Sequence, residues 1–231
     1  MRVTTNPKLI KRRSRLGMIA SLSGIAVLAL GMFASFRQQI AWVSLIALVV
    51  GFLLAQFGSY NLRRWGRSPR PDEVLAEGMK GFDDRYHFYA WTTPAPFVLL
   101  SPQGVYSMTT RDQTGAVSVT GSTWKSKMSL SRLLSIFAQE GLGNPTADAQ
   151  AQAAKLDAWI KGKLPEVNVE VQPGIVFIDA RVQLDVDTPT VPVVDAKGIK
   201  KWLRGGGKTQ NLRTVDLRAL EALFDAEAAA R

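Results

Sequence analysis

A chain of 231 residues with no cysteine and one histidine excludes disulfide scaffolds, thiolate metal centres and paired-histidine metal sites, and argues against a Ser-His-Asp triad. Its formal net charge of +10 invites a nucleic-acid reading, but the charge is unevenly placed. Residues 1–75 hold 11 Lys and Arg against Asp72 and Glu73, a net of +9, while the rest holds 18 basic and 17 acidic residues, a net of +1. The surplus is therefore N-terminal, and the high isoelectric point is no argument for DNA or RNA binding by the remainder.

Two apolar runs explain where that surplus sits. Residues 16–36 (LGMIASLSGIAVLALGMFASF) and 40–60 (IAWVSLIALVVGFLLAQFGSY) contain no charge, and only Arg37-Gln38-Gln39 separates them. As helix, each run spans about 31 Å, the thickness of a bilayer's hydrocarbon core. Lipid offers backbone amides no partners, so a transmembrane helical hairpin is expected. Arg2, Lys8, Lys11, Arg12, Arg13 and Arg15 precede the runs and Arg63, Arg64, Arg67 and Arg70 follow them. By the positive-inside bias this predicts a two-helix protein of the cell membrane with both termini cytoplasmic. The basic flanks also predict attraction to anionic lipid headgroups. Trp42, Tyr60 and Trp65 sit where an aromatic belt would lie. A cleaved signal peptide fits less well, because the first run is long for one and a second follows at once. Small residues recur every four positions at Ala47, Gly51 and Ala55, at Ala20 and Gly24, and at Gly17 and Ser21, a pattern suited to helix packing within the hairpin.

The expected organisation is a basic cytoplasmic N-terminus (1–15), the hairpin (16–60), a juxtamembrane linker (61–71, NLRRWGRSPRP) and one cytoplasmic domain (72–231). Pro71 followed by Asp72 and Glu73 predicts a helix over 71–81. Strands are expected over 86–91, 97–101, 104–110 and 116–120, with 123–125 continuing or edging the sheet. Helical spacing returns over 130–139 and 146–161. Residues 167–171 and 174–179 read as a hairpin turning at Gln172-Pro173. Short strands over 182–186 and 190–194 precede a small helix over 197–204 and an amphipathic helix over 214–230. The fold class is α/β, a mixed sheet flanked by helices.

Residues 95–115, APFVLLSPQGVYSMTTRDQTG, resemble the core of the nuclease-related domain (NERD) family. In that family the core runs Asp-His, an apolar strand, a Gly-Val turn, an apolar strand, Glu-x-Lys and a glycine. The helix bearing Glu73, the segment GLGNP at 141–145 with Gln150 beyond it, and GIVFID at 174–179 resemble further family elements, so the likeness covers about 72–180. It implies a restriction-endonuclease-like fold in which acids and a lysine on adjacent strands hold a divalent metal and activate water. The chemistry departs from that pattern. The family's aspartate falls on Pro96 (or Ala95), its glutamate on Thr109 and its lysine on Arg111, and only Glu73 is retained. Hard cations need carboxylate oxygens, and a guanidinium cannot act as a base. Strand alternation turns Asp112 away from Thr109 and Arg111, and Asp83 and Asp84 fall in a loop. The resemblance therefore implies a pseudo-nuclease with no metal, no cofactor and no catalytic residues, not an enzyme.

Other motifs weigh less. Residues 205–209, GGGKT, end like a phosphate loop but lack its spacing and its preceding strand, and read as a loop. Lys197, Lys200, Lys201, Arg204, Lys208 and Arg213 surround Trp202, either as a solvated face or as contacts to phosphate or lipid headgroups. His87, within YHFYAW, reads as a packing residue. The expected function is a membrane-anchored, non-catalytic accessory or scaffold protein, with other membrane subunits as partners. The alternative is a membrane-tethered nucleic-acid binder or weak metal-dependent nuclease.

Overall fold

A computed structural model describes residues 1–126, 142–205 and 211–231. The expected helix at 130–139, Gly141 and most of the 205–209 loop, Lys208 included, lie outside the described residues. The chain forms two compact units: Pro7–Arg70, and a domain that joins Met1–Asn6 to the described residues from Pro71 onward.

In the first unit α1 (Pro7–Ser35) and α2 (Ala41–Asn61) flank a short 3-10 turn at Gln38–Ile40, and a π-helical turn follows at Leu62–Gly66. Helix α1 begins ahead of the apolar run because Pro7 suits a first helical position, where its missing N–H costs nothing. Gly17, Gly24 and Gly31, seven residues apart, are its buried positions. A Cβ on Gly24 would lie 2.7 Å from the Ala55 nitrogen and 2.8 Å from the Gly51 carbonyl oxygen. One on Gly31 would meet Ala47 Cβ at 2.6 Å, and Gly58 abuts Ser21 in the same way. These small residues let the two helices approach closely. Ala20 is half-buried. Both helices are long and apolar enough to cross a membrane. Their outward apolar side chains are bare: Leu22, Leu30, Phe33, Leu45 and Leu48 are 61 to 71 % exposed. Trp42 and Tyr60 are exposed as a belt requires, whereas Trp65 is buried.

The second unit is mixed α/β, a mixed sheet flanked by helices. Its strands are β1 (Arg2–Thr5), β2 (His87–Ala90), β3 (Phe97–Ser101), β4 (Gly104–Arg111), β5 (Gly115–Thr120), β6 (Thr123–Ser126), β7 (Val171–Phe177), β8 (Val182–Asp187) and β9 (Val193–Asp195). Its helices are α3 (Pro71–Gly78), α4 (Pro145–Lys163), α5 (Ile199–Gly205) and α6 (Thr214–Ala230). The main sheet runs β1-β2-β3-β4-β7-β9. The meander β2-β3-β4 is antiparallel, and β1 on β2, β7 on β4 and β9 on β7 are parallel. Strands β6-β5-β8 form a second, three-stranded sheet, so residues 123–126 edge that sheet and not the main one.

Alternation sorts the main sheet's two faces. Tyr89, Val98, Leu100, Val105 and Val171 share a core with Leu156 and Ile160 of α4 and Leu220 and Phe224 of α6. On the other face Tyr106 packs edge-on to Trp202 of α5 at 5.6 Å between ring centres. Gly78 of α3 abuts Ile199 of α5, and Gly174 of β7 accepts the Trp202 ring where a Cβ would collide with it. A third cluster joins Val117 and Val119 of β5 to Ile175 and Phe177 of β7 and Ala149 of α4.

Several segments differ from the sequence reading: residues 61–66 of the expected linker are helical, the helix expected over 71–81 ends at Gly78, and the strand expected over 190–194 is Val193–Asp195. Residues 2–5 do not belong to a separate basic tail but pair with β2, Arg2 opposite His87 and Thr5 opposite Ala90. Residues 167–179 contain one strand, not a hairpin turning at Gln172-Pro173. The Ile175 N–H donates to Pro192 O at 2.9 Å, on the β9 side, and pairing with β9 begins only there. Pro173, two residues earlier, turns its missing N–H to that same side before β9 starts, so no ladder bond is lost.

Candidate functional site

Val105, Ser107, Thr109 and Arg111 alternate onto the α4 face of β4. Helix α4 begins close by because Asn144 caps it, its side-chain oxygen accepting from the Ala147 N–H at 3.1 Å, and Pro145 occupies the first turn. Asp148 and Gln152, one turn apart, then face the strand. The Thr109 hydroxyl, 2 % exposed, donates to Gln152 Oε1 at 3.0 Å. The Arg111 guanidinium pairs with the Asp148 carboxylate, with the arginine side chain 11 % exposed. Arg111 Nε is buried without a hydrogen-bond acceptor among the described residues. A hydroxyl bonded to an amide oxygen and a cation paired with a carboxylate join β4 to α4.

The other family positions fall around this pair. Pro96 directly precedes β3, and its carbonyl accepts from the Trp91 N–H at 2.7 Å, closing a tight loop in which Trp91 has φ 65°. The β3–β4 register, Val98 opposite Ser107, puts Pro96 at the Thr109 end of the ladder. Ala95 is buried in the core. Glu73 is half-buried on α3, the helix that packs with α5 on the opposite face from Thr109 and Arg111. Three of the positions thus share one corner of the sheet, and the retained carboxylate belongs to another layer. Asp148 and Gln152 were not singled out in the sequence. Their signal was an i, i+4 polar pair within an alanine-rich helix that buries Ala149, Ala153 and Leu156. Among the described residues no three of His, Asp and Glu gather as a metal-binding group.

Of the basic cluster, Lys200, Lys201 and Arg204 lie on α5 and Lys197 just ahead of it. Ile199, Trp202 and Leu203 are the buried positions of α5, which turns Lys201 and Arg204 outward. The Arg204 guanidinium lies 5.5 Å from the centre of the Phe82 ring, a cation–π contact. Lys201 joins Val182, Leu184, Pro192, Asp195 and Trp202 around a cavity of about 720 Å3. Lys197 is exposed and Lys200 half-exposed. Arg213 pairs with Asp216 at 2.7 Å and holds that carboxyl below its usual range through the hydrogen bond. Trp202 is 7 % exposed and wedged between Tyr106 and Gly174, so it offers no open face on which a base could stack.

His87 lies on β2 with Nε2 2.8 Å from the Asp84 carbonyl and Nδ1 3.2 Å from Glu221 Oε1, the latter without hydrogen-bond alignment. It borders a cavity of about 460 Å3 with Arg85, Arg218 and Glu221. Beside it Tyr89 donates to Asp225 Oδ1 at 3.0 Å. Burial first, and then that carboxylate, push the Tyr89 phenol well above its ordinary range. Comparison of the chain with family models, with curated proteins and with solved structures gave no match.

Proposed function

We propose that this protein is a two-helix membrane anchor whose α/β domain, a degenerate nuclease-related domain of restriction-endonuclease-like fold, serves as a non-catalytic scaffold or accessory subunit in a membrane protein complex. The observation that carries the anchor is the bare apolar surface of α1 and α2. Water would not tolerate so many leucines and phenylalanines more than half exposed, whereas lipid or neighbouring helices would cover them. Strand β1 precedes the hairpin in sequence yet pairs within the domain that follows it, which supports a hairpin with both ends on one side of the bilayer. The Lys and Arg flanks make that side cytoplasmic.

For the domain, support comes from the corner where the family's chemistry would stand. Pro96, Thr109 and Arg111 supply no carboxylate there, Arg111 is paired with Asp148, and the Thr109 hydroxyl is bonded to Gln152. A fold freed of its usual site is available for binding. The meander β2-β3-β4, followed through α4 by β7 parallel to β4, suits the nuclease-like reading. Extraction of the native membrane in mild detergent, size separation and mass spectrometry of co-migrating proteins test the proposal. A discrete large particle with constant partners is expected. A protein that runs alone, or one whose migration shifts on nuclease treatment, overturns the accessory-subunit reading, the second outcome in favour of nucleic-acid binding.

A further inference from the structure

The first turns of α1 carry the densest uncompensated charge in the hairpin unit. Lys8, Lys11, Arg12 and Arg15, with Leu16 and Ile19, border an open surface depression of about 500 Å3. At 100° per residue these six positions fall on one side of the helix, cations first and apolar residues after. None of the four cations has an ion-pair partner among the described residues, and residues 7–70 contain neither Asp nor Glu. Four like charges within about two turns repel one another unless an anion from elsewhere sits between them.

We propose that this stripe binds an anionic phospholipid. Lys8, Lys11, Arg12 and Arg15 hold its phosphate, and the upper part of one acyl chain lies along Leu16 and Ile19. The inference rests on α1 entering the bilayer as proposed above. The ligand class follows from the order of the stripe, because charge passes directly into hydrocarbon along one helix face. A phosphate covalently joined to an acyl chain satisfies both parts. A free phosphate or a nucleic-acid backbone would use the cations and leave Leu16 and Ile19, 42 and 52 % exposed, in contact with water. Arginine at two of the four positions suits phosphate oxygens, which its planar fork can meet in pairs.

The test uses the full chain reconstituted in phosphatidylcholine vesicles with or without phosphatidylglycerol. Flotation after an alkaline wash reads membrane insertion, and native mass spectrometry after detergent release reads retained lipid. Wild-type protein should retain phosphatidylglycerol in preference to phosphatidylcholine. The pair Lys11→Gln and Arg15→Gln should lower that retention about 25-fold, at roughly fivefold per cation removed, and still float. The pair Arg13→Gln and Arg67→Gln removes equal charge away from the stripe and should retain lipid like wild type. Equal loss in both pairs means diffuse surface attraction and overturns the site. So does wild-type protein without lipid preference, or inorganic phosphate displacing the lipid from the detergent-released protein. Failure of wild-type protein to float in phosphatidylcholine alone overturns the membrane reading itself, which separates the two.

Discussion

Arg2 Nη1 lies 2.9 Å from Asp225 Oδ2, joining the first strand of the main sheet to its last helix across nearly the whole sequence. Glu221 reaches the same guanidinium at 3.5 Å and His87 Nδ1 at 3.2 Å, and Asp225 also accepts from the Tyr89 hydroxyl. The ion pair is half exposed on the arginine side, so its own share of stability is small, about 0–1 kcal/mol. The register of β1 is that of its backbone ladder to β2, Arg2 opposite His87.

The ladder beneath that pair gives a prediction with an internal control. The Arg2 N–H donates to Tyr86 O at 3.0 Å, so the amide of Thr4, two residues on, faces β2 and that of Val3 faces away. Thr4→Pro removes a ladder donor and should destabilise the domain by about 2–3 kcal/mol, with faster hydrogen exchange in β2. Val3→Pro should cost less than about 1 kcal/mol, because an edge strand tolerates proline on its free side. Equal losses in chemical denaturation of the two variants would refute the assigned register.

At the β4–α4 corner, Thr109→Val keeps the shape and strands Gln152 Oε1, which should cost about 1–2 kcal/mol. Thr109→Glu puts a carboxylate at a 2 % exposed position facing an amide oxygen and should cost more, about 3 kcal/mol or above. Wild-type protein should melt at the same temperature in Mg2+ and in EDTA and cleave neither DNA nor RNA. A Mg2+-dependent rise in Tm would contradict the pseudo-nuclease reading.

Tyr89 predicts the alkaline behaviour. Its phenol is held above its ordinary value of about 10 in the folded state, so the unfolded chain loses that proton first as pH rises. The contribution is complete below pH 10 and is lost progressively as pH climbs above it. Ultraviolet titration should show Tyr89 ionising only when the domain unfolds, and Tyr89→Phe should flatten the fall in stability above pH 10. A Tyr89 that titrates normally in the folded protein would disprove the buried bond to Asp225.

Two helical glycines should respond oppositely to alanine. Gly24→Ala drives a methyl to within 2.7 Å of the Ala55 nitrogen and should loosen the α1–α2 contact, costing about 1–3 kcal/mol in detergent-solubilised protein. Gly162 in α4 has open space where a Cβ would go. Gly162→Ala should stabilise the domain by about 0.5–1 kcal/mol. Thermal unfolding of both variants reads the sign.

Much of the element list was legible because its signals are local. The β3 and α6 limits, 97–101 and 214–230, coincide with those read from apolar spacing and flanking turn residues. Gln172-Pro173 misled, since whether proline breaks a strand depends on which neighbour its nitrogen faces, and that neighbour is β9. Of the candidate site, the strand positions Thr109 and Arg111 came from the family resemblance. Their partners Asp148 and Gln152 were not visible, because sequence spacing on α4 does not say which strand the helix will cover.

The sequence by itself determined the two apolar helices, the short polar turn between them, the charge asymmetry and the α/β succession. Each of these depends on residues within a few positions of one another, through helix and strand periodicity and chain-length limits. Only the tertiary structure decided that residues 2–5 join the sheet of a domain that begins after the hairpin, that Trp202 is buried against Gly174, and that Arg111 is neutralised by Asp148. Those facts depend on groups brought together from distant parts of the chain, where burial, register and charge pairing choose among partners that local sequence leaves equivalent.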